Sequence, residues 1–312
     1  PGYLAFRTAW YIILQEAQMP LKFLAAPILA ALLVAGGVVT ASSHSTPTTP
    51  EGAAPMTPNE LVLAGFAALF TDFDVEALPD LFAEDYIQHN PGVPTGLAPV
   101  MGVLPAIEAS GLRVTTHRVF ADGDLVVLHS TYENAQFFGA PTLVGFDVFR
   151  VADGKIVEHW DNLQPPAAPN ASGRTMTDGP TEVTDLDRTE ANKARVAEFA
   201  QAVLIEGDFA RITDFIVGGE AYAQHNPLFG DGITALGAAF DELAQQGNAI
   251  RYSTVHQVLG EGNFVLMMAE GTFGTTPTAY YDLFRLEDGM IVEHWDVIQE
   301  IPEEMAHTNG KF

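Results

Sequence analysis

Two stretches of this sequence each carry a carboxylate, an imidazole and a second carboxylate close together: Asp147, His159 and Asp161, then Asp282, His294 and Asp296. Those groups suit proton transfer. A carboxylate in apolar surroundings loses solvation of its charged form, so its pKa and its basicity rise. Such a base can remove a proton beside a carbonyl if donors stabilise the oxygen on which charge develops. Each set is preceded by a Gln-His-Asn-Pro tetrad, Gln88-His89-Asn90-Pro91 and Gln224-His225-Asn226-Pro227. In the catalytic reading, Gln88, His89, Asn90 and Gln224, His225, Asn226 bind substrate, and His89 and His225 polarise its oxygen. In the plainer reading these are turn residues, with the asparagines bonding their own backbone. Phe149 and Phe284 are the expected apolar lining. Cross-strand Asp and His could hold a divalent ion in principle. No His-x-His or His-x-x-x-His pattern supports one, so neither metal nor cofactor is expected. A G-x-S-x-G elbow is missing, and there is no cysteine.

Positioning these groups falls to a hairpin. A two-residue turn at Asp153-Gly154 pairs Ala152 with Lys155 and sets Asp147 opposite Trp160. A three-residue loop, Ala152-Asp153-Gly154, pairs Val151 with Lys155 and sets Asp147 opposite His159. The second register places Asp147, His159 and Asp161 on one face with Phe149, Val151 and Val157. Glu287-Asp288-Gly289 offers the same choice. Turn rules alone leave both registers open. Arg150 with Glu158, and Arg285 with Glu293, are expected to pair on the opposite face. Trp160 and Trp295 are expected to pack rather than to hold substrate.

The chain is duplicated. FDVFRVADGKIVEHWDNLQ (146–164) returns as YDLFRLEDGMIVEHWDVIQ (281–299) with twelve of nineteen positions identical, and the tetrads recur at nearly the same offset. A period of that length is a whole small domain. Helical spacing predicts helices over 58–70 and 189–206, short ones over 75–82 and 209–216, and a third pair over 97–109 and 233–245. Thr57, and Asp187 or Thr189, are the expected N-caps. Strands are expected over 113–120, 125–132, 144–151 and 156–163, with Asp122-Gly123 as a further turn. Helices first and an antiparallel meander after them predict an α+β fold. The boundaries read as an upstream extension over 1–18, a signal peptide over 19–41, a flexible linker over 42–57, domains over 58–166 and 189–304, a linker over 167–188, and a tail over 305–312. Lys22 followed by an uncharged apolar run to Ala41 supports export, so a secreted or periplasmic location is expected, or a membrane-anchored one if the run is not cleaved. Forty acidic residues against fourteen Lys and Arg give a net charge of −26, which argues against a nucleic-acid partner. No membrane association is expected after cleavage.

The tetrad together with the D-x-F-R…G-x-I-V-E-H-W-D hairpin resembles the SnoaL-like polyketide cyclases of the nuclear transport factor 2-like superfamily, in their predicted aldol-condensation branch. The resemblance covers most of 58–164 and 189–301. It implies two tandem cone-shaped α+β barrels, each a curved sheet wrapping helices around an apolar pocket. It also implies cofactor-free acid–base chemistry on a small hydrophobic molecule, with the acid–base pair on the last two strands; this favours the second hairpin register. Asp161 and Asp296 are then the general acid/base, and Asp147 with His159, and Asp282 with His294, orient or share the proton. A pocket on the order of several hundred Å³ is expected. The alternatives are a non-catalytic small-ligand-binding protein outside the cytoplasm, and a structural module in which the two sheets pack as an internal pseudo-dimer.

Overall fold

The computed structural model describes residues 55–312. The expected extension, signal segment and most of the first linker lie outside the described residues. Residues from Pro55 to Phe312 form one unit containing both repeats. No described helix is long and apolar enough to cross a membrane.

The first repeat opens with α1 (Pro58–Phe70). Thr57 caps it: its hydroxyl accepts from the Glu60 N–H, while Glu60 reaches back to the Thr57 N–H. This reciprocal pair satisfies donors that the first turn leaves open. Next come α2 (Leu78–Leu81), β1 (Phe82–Gln88) and α3 (Leu97–Ala109). The meander is β2 (Arg113–Asp122), β3 (Leu125–Glu133), β4 (Thr142–Ala152) and β5 (Lys155–Gln164). The second repeat has α4 (Thr189–Phe199), a π-helical continuation over Ala200–Ile205, α5 (Ile212–Phe215), β6 (Ala223–Gln224) and α6 (Ile233–Gln245). It ends with β7 (Ile250–Glu261), β8 (Phe264–Phe273), β9 (Thr276–Glu287) and β10 (Met290–Glu300). The sheets have matching orders, β1-β5-β4-β3-β2 and β6-β10-β9-β8-β7. The result is two cone-like α+β domains in tandem, with helices on the inner face of each sheet.

Three local expectations are corrected. The tetrads do not merely turn: each ends a short strand, β1 or β6, that pairs parallel with the last strand of its sheet. No side chain caps α4; Thr189 instead donates to the Leu186 carbonyl. The β2–β3 turn is Gly123-Asp124, because Asp122 pairs with Leu125.

The outer faces of the two sheets meet. Phe120, Phe146 and Trp160 of one share a buried cluster with Phe264, Tyr281 and Trp295 of the other. Large aromatic areas leave water here, which gives the contact its stability. Two segments then cross between the repeats. Residues 170–184, after the first repeat, lie on the second, where Asn170 Nδ2 donates to the Gln224 carbonyl at 2.5 Å. Residues 306–312, after the second repeat, lie on the first, where Asn309 Nδ2 donates to the Gln88 carbonyl at 2.9 Å.

Candidate active site

The hairpin register sets the site, and it is neither of the two that turn chemistry suggested. Asp153 and Gly154 both have positive φ, 50° and 73°. This is the two-residue turn, and Ala152 pairs with Lys155. Uninterrupted, that turn would put Trp160 opposite Asp147. Val157 is instead an extra residue, a bulge between the pairs Val151–Ile156 and Arg150–Glu158. Beyond it, Phe149 faces His159 and Asp147 faces Asp161. The favoured three-residue loop is therefore wrong, and so is the Asp147–His159 pairing. The shared face survives because a bulge shifts pairing by one and so turns the following side chains over. The second hairpin does the same, with the turn at Asp288-Gly289, the bulge at Val292, and Asp282 opposite Asp296.

In both repeats the triad points inward, and every member is buried. In the second, His294 Nε2 lies 3.0 Å from Asp282 Oδ1. Its Nδ1 lies 2.9 Å from Gln224 Oε1. Gln224 Oε1 also accepts the Asn226 N–H, which fixes it as the carbonyl oxygen and makes Nδ1 the donor. The remaining proton sits between Nε2 and Asp282. Asn226 Nδ2 donates to Asp296 Oδ2 at 2.6 Å, while Asp296 Oδ1 is buried with no hydrogen-bond partner among the described residues. The first repeat matches: His159 Nε2 to Asp147 Oδ1 at 3.1 Å, His159 Nδ1 to Gln88 Oε1 at 2.9 Å, and Asn90 Nδ2 to Asp161 Oδ2 at 2.5 Å.

Burial raises the Asp296 carboxyl to about 6; the His294 charge and the Asn226 hydrogen bond oppose it only in part. Burial also raises Asp147, against the opposing bonds from His159 and Tyr132. For His294, burial favours the neutral ring, but the bond to Asp282 and the charges of Asp296 and Asp282 outweigh it and raise its pKa. In each triad the ligand atoms lie within 4.8 Å of one another, a spacing that would also admit a cation.

His89 and His225 do not enter this site. Side chains alternate along a strand, so positions 88 and 90 face in while 89 faces out. His89 stacks on Trp160, with ring centroids 4.9 Å apart, and reaches Glu158 at 2.9 Å and the Gly310 carbonyl at 2.9 Å. His225 stacks on Trp295 and contacts Glu293 and the Thr175 carbonyl, each at 2.8 Å. Arg150 and Arg285 bind the same glutamates, at 2.6 and 2.7 Å. The expected role of His89 and His225 as donors to a substrate oxygen is thus overturned, and the tryptophans stand on the outer face. Gln88 and Gln224 accept from histidine rather than donate to substrate.

A cavity of about 40 Å³ lies over the second triad. Phe199, Phe229, Phe240, Phe284 and Tyr222 are among its lining, with Asp282, His294 and Asp296 at the polar end. It is far smaller than the pocket the sequence suggested, with room for only a few water-sized groups. Phe149, the first repeat's counterpart of Phe284, packs edge-on against Phe66 at 6.2 Å within an apolar core.

Sequence reasoning missed three tyrosines. Tyr132 Oη donates to Asp147 Oδ2. Tyr252 Oη donates to Asp282 at 3.1 Å. Tyr222 Oη accepts from Gln224 Nε2 at 3.3 Å, which leaves its own proton free for the cavity. The signal for Tyr222 was its recurrence with Tyr86, two residues before each glutamine and hence on the same strand face. Nothing comparable marks Tyr132 or Tyr252.

Residues 63–159 match the family model described as a SnoaL-like domain. No curated protein matches the chain. Among solved structures it is similar to IdmH of Streptomyces antibioticus, a candidate polyketide cyclase, at 26% identity over 35% of this chain and 93% of that one, with a TM-score of 0.30. It is also similar to TsrD of Streptomyces laurentii (20% identity, 34% and 88% covered, TM-score 0.30). An LEH-like epoxide hydrolase of M. tuberculosis gives 22% identity, 34% and 82% covered, and a TM-score of 0.29. Each likeness spans about one repeat. Residues 63–159 are therefore similar to a SnoaL-like domain, and the second half of the chain repeats the sheet order and the inward acidic triad of that matched region.

Proposed function

We propose that this protein is a cofactor-free acid–base enzyme acting on a small hydrophobic carbonyl compound, through its second repeat. A SnoaL-like fold with polyketide cyclase and epoxide hydrolase neighbours supports a family of such enzymes. The observation that carries the reading is Asp296: a buried carboxylate at the polar end of an apolar cavity, held at Oδ2 by Asn226 and, among the described residues, unpartnered at Oδ1.

Asp296 Oδ1 takes the proton from the carbon beside the carbonyl. The Tyr222 hydroxyl, which burial keeps protonated, donates to the oxygen as enolate charge develops. His294, with its proton shared toward Asp282, supplies positive charge on the same side. Return of the proton to another carbon gives isomerisation; attack of the enolate carbon on a second carbonyl gives aldol closure, with the proton ending on the new alkoxide. Phe209 lines the cavity yet is 53% exposed, so substrate enters past it. A substrate of more than a few heavy atoms requires Phe209 and Phe240 to move outward.

For the first repeat a scaffold role fits better, because Phe66, Phe70, Tyr132, Phe138 and Phe149 pack together beside its triad.

The test is hydrogen–deuterium exchange at the acidic carbon of small apolar β-dicarbonyl compounds, followed by NMR. Wild-type protein should accelerate exchange and Asp296→Asn should not. Equal exchange by both removes Asp296 as the base.

A further inference from the structure

Duplication copies a side chain in place, so inherited scaffold should sit at matching positions in both repeats. The tyrosines that bond Asp147 and Asp282 do not. Tyr132 is on β3, in the strand position four residues along from Leu128, which pairs with Asp147; Val114 of β2 stands opposite it. The matching position in the second repeat, four residues along from Met267, is Gly271, and the residue opposite is Tyr252 of β7. The phenol has moved to the neighbouring strand. The reason is visible at Gly271, where a Cβ would collide with the Arg251 carbonyl oxygen. Yet both phenols donate to the same member of the triad, the aspartate facing the histidine Nε2.

We infer that the tyrosine–aspartate hydrogen bond orients and charges the histidine-facing aspartate of each triad, and that Tyr132 and Tyr252 are positioning residues that supply it from different strands. The inference deepens the acid–base reading above and rests on it. A phenol donating to a carboxylate stabilises the ionised form. In the second repeat this favours the shared proton on His294, ready to face developing charge. The titratable groups that act on His294 are Asp282 and Asp296, and Tyr222, Tyr252 and Tyr280 act in turn on those two carboxylates. No Lys or Arg is among the cavity lining.

The experiment reads protonation directly and needs no turnover. In the full chain with ¹⁵N-labelled histidine, Tyr252→Phe should lower the His294 imidazole titration by about one pH unit, the worth of one hydrogen bond to a charged group. An unchanged titration overturns the inference. If Tyr252→Phe fails to fold, the first repeat supplies the test. Tyr132→Phe should raise the Asp147 carboxyl titration, and the transposed pair Val114→Tyr with Tyr132→Val should restore it. A transposed protein that titrates like Tyr132→Phe also overturns the inference. Loss of the acid–base reading would show separately, as undiminished exchange by Asp296→Asn.

Discussion

The two triads superpose in kind but not in surroundings. In the first repeat, Glu133 pairs with Thr142, and the intervening loop holds a 3₁₀ turn over Gln136–Phe138. That loop drops Phe138 onto Phe70 and Tyr132, each at 6.3 Å. In the second repeat, Phe273 pairs with Thr276, so only Gly274-Thr275 join the strands and no aromatic folds back. One turn past the paired Phe66 and Phe199, the first helix carries Phe70 and the second Val203. The outer side differs too. Lys311 follows the carbonyl that meets His89, and its Nζ donates to the Asp161 carbonyl at 2.6 Å and lies 3.7 Å from Asp161 Oδ1. Met176 follows the carbonyl that meets His225 and packs in the inter-repeat core. The same ionisable set can thus be closed with aromatics and compensated by a cation, or left open and uncompensated. The second condition suits a base.

Replacing the two outer carboxylates gives the sharpest separation of the repeats. Asp296→Asn should reduce carbon-acid exchange by about 10²–10⁴-fold, the usual worth of a general base. Asp161→Asn should change it by no more than about threefold on that reading. Equal losses would show that both repeats work. Next is the aromatic plug. Val203→Phe should close the cavity and raise KM by at least about tenfold, since it displaces apolar contact with substrate. Phe138→Ala should cost about 2–3 kcal/mol in denaturant unfolding, less than a fully buried Phe, and should expose the first triad to small apolar probes.

Titration provides a third contrast. Asp296 is raised to about 6 in the folded protein. The native state therefore holds its proton over a range in which the unfolded chain has lost it, and stability falls as pH climbs from about 4 to 6. Above that, Asp296→Asn should be more stable than wild type by on the order of 2–3 kcal/mol, measured by thermal melts, while activity of the wild type rises through the same window. Lys311 gives the smallest effect and the opposite slope. Burial lowers it to about 8. The unfolded chain binds the extra proton between that value and the ordinary lysine range, so stability rises with pH there. Lys311→Met should flatten that rise without altering exchange.

Helix and strand placement was legible in the sequence because apolar periodicity and Asn-Pro or Asp-Gly punctuation are local signals. The α3 and α6 spans, 97–109 and 233–245, agree with the expected ones to the residue. The inward triad was also legible, for an incomplete reason. The bulges at Val157 and Val292 carry no turn residue, so the register had to be seen. The face of His89 was hidden for a related reason: a tetrad ending in Asn-Pro reads as a turn, and only its pairing with β5 imposes alternation. Tyr252 was illegible because it stands where the other repeat has Val114. Comparison of the two copies by sequence treats that as a mismatch.

The crossing segments constrain the order in which the molecule can be completed during synthesis. Gly310 meets His89 across 221 residues. The outer corner of the first repeat therefore waits until residues 306–312 of the second have left the ribosome, whereas the corner of the second has its covering segment, residues 170–184, made beforehand. The half translated first is the half finished last, and until then its His89, Trp160 and Glu158 stand open to water and to chaperones.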